Sequence, residues 1–169
     1  KIPSIKFSVF SGSNKVEEVI SNQTGSYKIE LQEGTYSIAP TFNNPNAFKV
    51  NPDKKQVSFA SWSQDTITQN FCVTNNDILS KMVITVIPLT PPARPGFNAS
   101  YKIVWENVGN HVESGTLNFI YDERLLDYIS ATQTADQVAD GIIKWNFNNL
   151  LPFEKREITV TLKVNRPTD

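Results

Sequence analysis

The chain has 169 residues, 39% hydrophobic and 20% charged, with sixteen Lys plus Arg against seventeen Asp plus Glu and a formal net charge of −1. This composition suits one large globular domain or two small ones and excludes a disordered chain; with no apolar run near ~18 residues and no basic excess in either half, membrane insertion and nucleic-acid binding are excluded too. A single cysteine, Cys72, and a single histidine, His111, cannot supply a zinc site, a disulfide framework or more than one member of a nucleophilic dyad, and no cofactor is implied.

The 43 Val, Ile and Thr residues against 17 Leu and Ala predict an almost all-β protein, because β-branched side chains fit pleated strands. In the first part of the chain Ile5, Phe7 and Val9 alternate with Lys6 and Ser8, the period of a half-buried strand. A turn at 11–14, a short strand at 16–20 and a second turn at 22–25 follow; Tyr27, Ile29 and Leu31 then alternate with Lys28 and Glu30, and Glu33-Gly34 closes a hairpin onto 35–39. Short strands at Phe48–Val50, Val57–Phe59 and Ile67–Val73 complete about seven in this block, by the spacing rule for strands.

The polar run Thr74-Asn75-Asn76-Asp77 predicts an interdomain linker, giving domains of residues 1–76 and 77–169. In the second block, Met82–Ile87 breaks at Pro88, and Phe97, Ala99, Tyr101, Ile103 and Trp105 form the longest alternation in the chain. Turn residues 107–110 lead to strands through Leu117, Phe119 and Tyr121, through 125–130, through Ile143, Trp145 and Phe147, and through Ile158, Val160, Leu162 and Val164. No stretch sustains a helical period, so the expected fold is all-β, two antiparallel β-sandwich domains in tandem. With no initiator Met or signal peptide at Lys1-Ile2-Pro3 and a stop directly after a strand, the chain reads as an excised piece.

Two motifs carry a family resemblance. Gly25-Ser26-Tyr27-Lys28-Ile29-Glu30-Leu31 followed by Glu33-Gly34-Thr35-Tyr36-Ser37-Ile38 resembles the signature of transthyretin-like sandwiches, which include carboxypeptidase regulatory-like domains and collagen-adhesin B-type repeats. The run 101–110, Ser114-Gly115-Thr116, Trp145-Asn146-Phe147, 150–154 and 158–162 resemble the conserved-repeat Ig-like domain of bacterial surface proteins. Together with Asn70-Phe71-Cys72-Val73, Ala93-Arg94-Pro95-Gly96-Phe97 and 164–169, nearly the whole chain resembles a tandem of large secreted Bacteroidetes proteins exported by type IX secretion. That resemblance implies an Ig-like domain truncated at its C-terminal end, an extracellular or cell-surface location, and neighbouring domains of a parent protein as partners.

Some collagen-adhesin repeats form a Lys–Asn isopeptide bond, and Lys6 and Asn70 occupy plausible ends, but Ser37, Ala39 and Pro40 stand where the assisting acid is needed. Asn75, Asn76 and Asp77 offer oxygen ligands for calcium with only one carboxylate among them. Glu17 and Glu18 point to opposite faces; Asp122, Glu123 and Asp127 gather at one turn, where carboxylates are ordinarily solvated, as is His111 among turn residues. Trp105 and Trp145 fall on inward positions, whereas Trp62, in Ser61-Trp62-Ser63-Gln64-Asp65, is the ligand-binding candidate, a ring that could stack on a sugar or a protein surface. The prolines at 88, 91, 92 and 95 suit a strand break, and Cys72 reads as a buried, inert thiol. No catalytic constellation assembles, which points to a non-catalytic structural or adhesive module, a stalk or spacer. The alternative is a carbohydrate-binding accessory module of a secreted polysaccharide-degrading enzyme, with a glycan or a host or environmental surface as partner.

Overall fold

Side-chain alternation becomes antiparallel pairing through most of the chain. The computed structural model describes residues 1–60 and 66–166. Among them every strand pairing is antiparallel, the one helical feature is the 3-10 turn Pro45–Ala47, and the protein is all-β. It divides into two compact units: the first comprises 1–81 with two short returns of chain, 109–111 and 151–154, and the second comprises 82–108, 112–150 and the chain from Lys155 onward.

In the first unit, β1 (Lys6–Ser11), β2 (Asn14–Ile20), β3 (Gly34–Thr41), β4 (Phe48–Asn51), β5 (Lys55–Phe59) and β6 (Cys72–Asn75) form two sheets, β2-β1-β3-β5 and β4-β6. Cross-strand partners Val9 and Ile38, then Tyr36 and Val57, line one face, and Ile5, Phe7, Val9, Ile38 and Val57 are the buried core. The hairpin expected from 27–31 onto 35–39 does not form. Tyr27, Ile29 and Leu31 are half-buried while Lys28 and Glu30 are exposed, so the period is present, but β3 is already flanked by β1 and β5 and has no edge to offer. The segment is held through side chains instead: the Tyr27 ring stacks on Phe7 at 4.0 Å, and its hydroxyl donates to the Gln69 carbonyl at 2.9 Å. Of the strand expected over 67–73, only its last residues enter β6, because pairing begins where β4 lies alongside. That strand takes in Thr74 and Asn75 of the polar run, and the unit runs on to Lys81.

The two returns of chain complete this unit. Phe153 packs with Phe42 and Phe48, centroids 6.3 and 5.4 Å away, while Phe42 and Phe48 stack at 4.6 Å. Its φ of 64° is a conformation that a bulky residue adopts only when packing overrides the local cost. Asn110, 1% exposed, satisfies its whole amide here: its Nδ2 donates to the carbonyls of Ala47 (2.9 Å) and Asp77 (2.5 Å), and its Oδ1 accepts from the Leu79 N–H at 2.8 Å. The backbone adds Asn110 N–H to the Leu79 carbonyl and Gly109 N–H to the Lys81 carbonyl, both 3.0 Å.

The second unit contains β7 (Met82–Pro88), β8 (Asn98–Asn107), β9 (Glu113–Ile120), β10 (Leu126–Ala131), β11 (Gln137–Ala139), β12 (Ile142–Leu150) and β13 (Lys155–Val164). They form a four-stranded sheet, β10-β13-β8-β7, and a three-stranded sheet, β11-β12-β9. The core between them takes Ile103, Trp105, Ile158, Val160 and Leu162 from the first and Leu117, Ile143, Trp145 and Leu150 from the second. The alternation of β8 is real except at its start, where Phe97 is 61% exposed under the Arg94 guanidinium rather than inward, although its carbonyl still accepts the Val164 N–H at 2.9 Å.

Replacing the buried amide tests the weight placed on Asn110. Asn110→Ala removes the partner of the Leu79 N–H and of the Asp77 carbonyl, while the Ala47 carbonyl keeps the Asn76 N–H, and should cost roughly 2–4 kcal/mol of stability in urea unfolding. Asn148→Ala, at an exposed position, should stay within about 0.5 kcal/mol of the parent.

Candidate functional site

The candidate Trp62 lies outside the described residues. Among those described, two open grooves lie on the second unit. The first is built by strand alternation. Leu117 of β9 and Ile143 and Trp145 of β12 point inward, so Thr116, Asn118, Lys144 and Asn146 point outward, and the register sets Asn118 opposite Lys144 and Thr116 opposite Asn146. Gln137 pairs with Lys144 across β11, and the Asp136 N–H donates to the Lys144 carbonyl at 2.9 Å. The Asp136 carboxylate accepts the Asn146 N–H at 2.6 Å, and the Thr116 hydroxyl donates to the Asn146 Oδ1 at 2.8 Å. These six residues line an open groove of about 380 Å³. It presents amides, a hydroxyl, one carboxylate and one ammonium, with no aromatic ring and no His, Ser or Cys among the lining residues. Such a surface can hydrogen-bond a polyhydroxylated ligand; it holds no nucleophile with an adjacent base.

The second groove, about 340 Å³, is lined by Tyr121, Glu123, Leu126, Asp127, Tyr128, Val138, Ala139 and Asp140. Burial pushes the Tyr121 phenol above its ordinary value, and the Glu123, Asp127 and Asp140 carboxylates push it the same way by opposing a phenolate. The acidic turn read from the sequence is therefore split. Arg124 reaches back to Asp122 with its Nε at 3.0 Å and a second guanidinium nitrogen at 2.7 Å, holding that carboxyl below its usual range. Glu123 and Asp127 face the groove instead, where Asp140, far along the sequence, joins them.

The other candidate residues are dispersed. Lys6 is ion-paired with Glu18 at 3.0 Å, Lys15 binds the same carboxylate, and the two cations hold the Glu18 pKa down; Asn70 is exposed. The Asn76 amide donates to the Asn46 carbonyl at 3.0 Å, and the Asp77 carbonyl accepts from Asn110, so this run is tied to neighbouring loops. Among the described residues no three His, Cys, Asp or Glu side chains gather as a metal site. His111 is half-buried within the first unit, not solvated in a turn. Cys72 is exposed, contrary to expectation: Phe71, just ahead of β6, and Val73 within it are half-buried, and the pleat turns Cys72 between them to the opposite face. Trp105 and Trp145 are 2% and 1% exposed; the Trp145 indole donates to the Gln133 carbonyl at 3.1 Å.

Sequence reading passed over Thr116, Asn118, Gln137, Lys144 and Asn146. Their signal was available as the polar half of the alternation through Leu117, Ile143 and Trp145, but the register that brings them together is tertiary. No known family, curated protein or solved structure matches the chain.

Two measurements check these placements. Cys72 should react with a thiol-specific disulfide reagent in the native protein as completely as in urea, whereas a buried thiol would react only after unfolding. In a spectrophotometric titration, Tyr121 should ionise above the ordinary phenol value of 10.0, and neutralising its neighbours in E123Q, D127N and D140N together should lower that midpoint without restoring it fully, since burial remains. Because the folded-state value is raised, the contribution of this group to stability is intact below pH 10 and is lost as pH climbs through the folded midpoint.

Proposed function

We propose that the chain is a non-catalytic structural or adhesive module, a stalk or spacer of a large secreted or cell-surface bacterial protein exported by type IX secretion. In this reading residues 1–76 are a transthyretin-like sandwich and 77–169 an Ig-like sandwich, and the partners are the neighbouring domains of the parent protein. The observation that carries it is where the polar side chains are spent. Asn110, Asn107, Ser21 and Asn22 are used to fasten loops: Asn107 donates to the Leu150 carbonyl at 3.0 Å, Ser21 accepts the Ile5 N–H at 2.9 Å, and Asn22 accepts from Thr24 and Ser26. A spacer requires a fixed form and little chemistry, and strands fastened in this way suit it. The motif resemblances at 25–38 and 101–110 supply the extracellular setting; no helix among the described residues is long and apolar enough to cross a membrane.

The amide-rich groove favours one second reading, a carbohydrate-binding accessory module, because Asn118, Gln137, Lys144 and Asn146 offer paired donors and acceptors of the kind vicinal hydroxyls accept. Antibodies raised against the chain should label intact cells of the source bacterium without permeabilisation; labelling only after permeabilisation would overturn the surface reading. Titrating the labelled protein with cello-, xylo- and manno-oligosaccharides should leave the side-chain amide resonances of Asn118, Gln137 and Asn146 unmoved. Saturable shifts there would establish the carbohydrate reading in place of the spacer.

A further inference from the structure

The tips of two loops belong to the first unit, but their roots are fixed by the second. The turn 109–111 hangs between β8 and β9, and the turn 151–154 between β12 and β13. The four strand ends from which they spring are tied together inside the second unit. Glu106, near the end of β8, pairs with Lys155 at the start of β13, and Glu113 at the start of β9 pairs with Leu150 at the end of β12. The Asn107 amide then joins the two pairs by donating to the Leu150 carbonyl at 3.0 Å, and both residues are fully buried. Beyond its root the second turn closes on itself: the Leu151 N–H donates to the Glu154 carboxylate at 2.8 Å, and the Glu154 N–H to the Leu151 carbonyl at 3.0 Å. Residues of the second unit thereby hold both loops in place.

The dependence runs one way. Among the described residues the second core, from Ile103 to Leu162, is built wholly from the second unit, as are the partly buried hydrophobic side chains packed against it. The first core is not self-sufficient. Phe153 is among the side chains packed against it, and Asn110 is the partner of the Leu79 N–H and the Asp77 carbonyl. What these two residues hold is narrow: β4-β6 is a ladder of two four-residue strands, and a two-stranded ribbon is marginal without outside support. We propose that the second unit is the folding template of the first, so that residues 1–81 close only after β8, β9, β12 and β13 have assembled and presented Asn110 and Phe153. Domains ordinarily fold in the order of synthesis, N-terminal first. Here that order is reversed, and the N-terminal unit stays open until the chain through β13 is available. The inference rests on packing within the chain and holds under either functional reading.

Methyl resonances of the whole chain read the two cores separately: Ile5, Val9, Ile38 and Val57 for the first, Ile103, Ile143, Val160 and Leu162 for the second. In a urea titration of the unaltered chain the first set should lose its dispersion at the same urea concentration as the second or earlier, and never after it. The double variant carrying Asn110→Ala and Phe153→Ala should lower the first midpoint by roughly 1 M or more, while the second set stays dispersed beyond it. Ile143→Asp, which places a carboxyl at a fully buried position of the second core, should collapse both sets together without urea. Dispersed first-core methyls beside a collapsed second core, whether in urea or in Ile143→Asp, would overturn the inference. So would loss of both sets together in the double variant, which would make the dependence mutual, or an unchanged first midpoint there, which would make the two loops incidental to the first unit.

Discussion

A single buried carboxamide holds the first unit together at the point where its loops have least else to hold them. Asn110 has one donor group and one acceptor, and the three backbone groups that meet it come from Ala47, Asp77 and Leu79, at the ends of two different strand connections. The Leu79 N–H and the Asp77 carbonyl would otherwise require water or another partner, and a buried polar group left without one costs more than a made hydrogen bond returns. The consequence spreads outward. Ala47 precedes β4, Asp77 follows β6, and the β4-β6 ladder is only two strands wide, so its ends are fixed by the same amide and by the Asn76 N–H to the Ala47 carbonyl at 3.1 Å. Phe153 does by packing what Asn110 does by hydrogen bonding: it supplies a ring that Phe42 and Phe48 would otherwise leave open, in a backbone conformation that the contact must stabilise.

The second unit depends on a broader core with a different division of labour. Its central strands β8 and β13 contribute side chains that are almost fully buried, while β7, on the margin of the same sheet, is exposed on both faces. Burial in a sandwich is set by what lies opposite, not by a strand's own composition, and β7 has the composition of a core strand without the cover of one. The outward faces divide by chemistry as well: amides and hydroxyls over β9-β12-β11, carboxylates and phenols near β10 and β11.

The sequence by itself determined the class of the protein and most of its strands. A two-residue period in side-chain polarity has one structural solution, and where Val9, Ile103, Ile143, Val160 or Leu162 fell on that period they became core at 0–1% exposure. The same reading placed Trp105 and Trp145 correctly, because their neighbours on the period were also apolar. It failed where alternation is necessary but insufficient. Residues 27–31 alternate and are half-buried alternately, yet form no ladder, because an edge to pair with is a property of other strands. Phe97 continues the period of β8 and bonds Val164 of β13 through its backbone, yet its side chain is left uncovered, and Cys72 sits among apolar neighbours on the face of β6 that is left uncovered.

Only the tertiary structure decided which residues would meet. The residues 107–110 read as a turn, and nothing in their neighbourhood of the sequence discloses that Asn110 closes on Ala47, 63 positions away, or that Asn107 closes on Leu150, 43 away. The groove at Thr116, Asn118, Gln137, Lys144 and Asn146 is likewise a matter of register, as is the bare inward face of Ile84 and Val86. Local pattern fixes which way a side chain points because that depends on the backbone beside it. What it points at depends on strand order and sheet offset, which are settled by the sum of contacts between segments far apart in the chain.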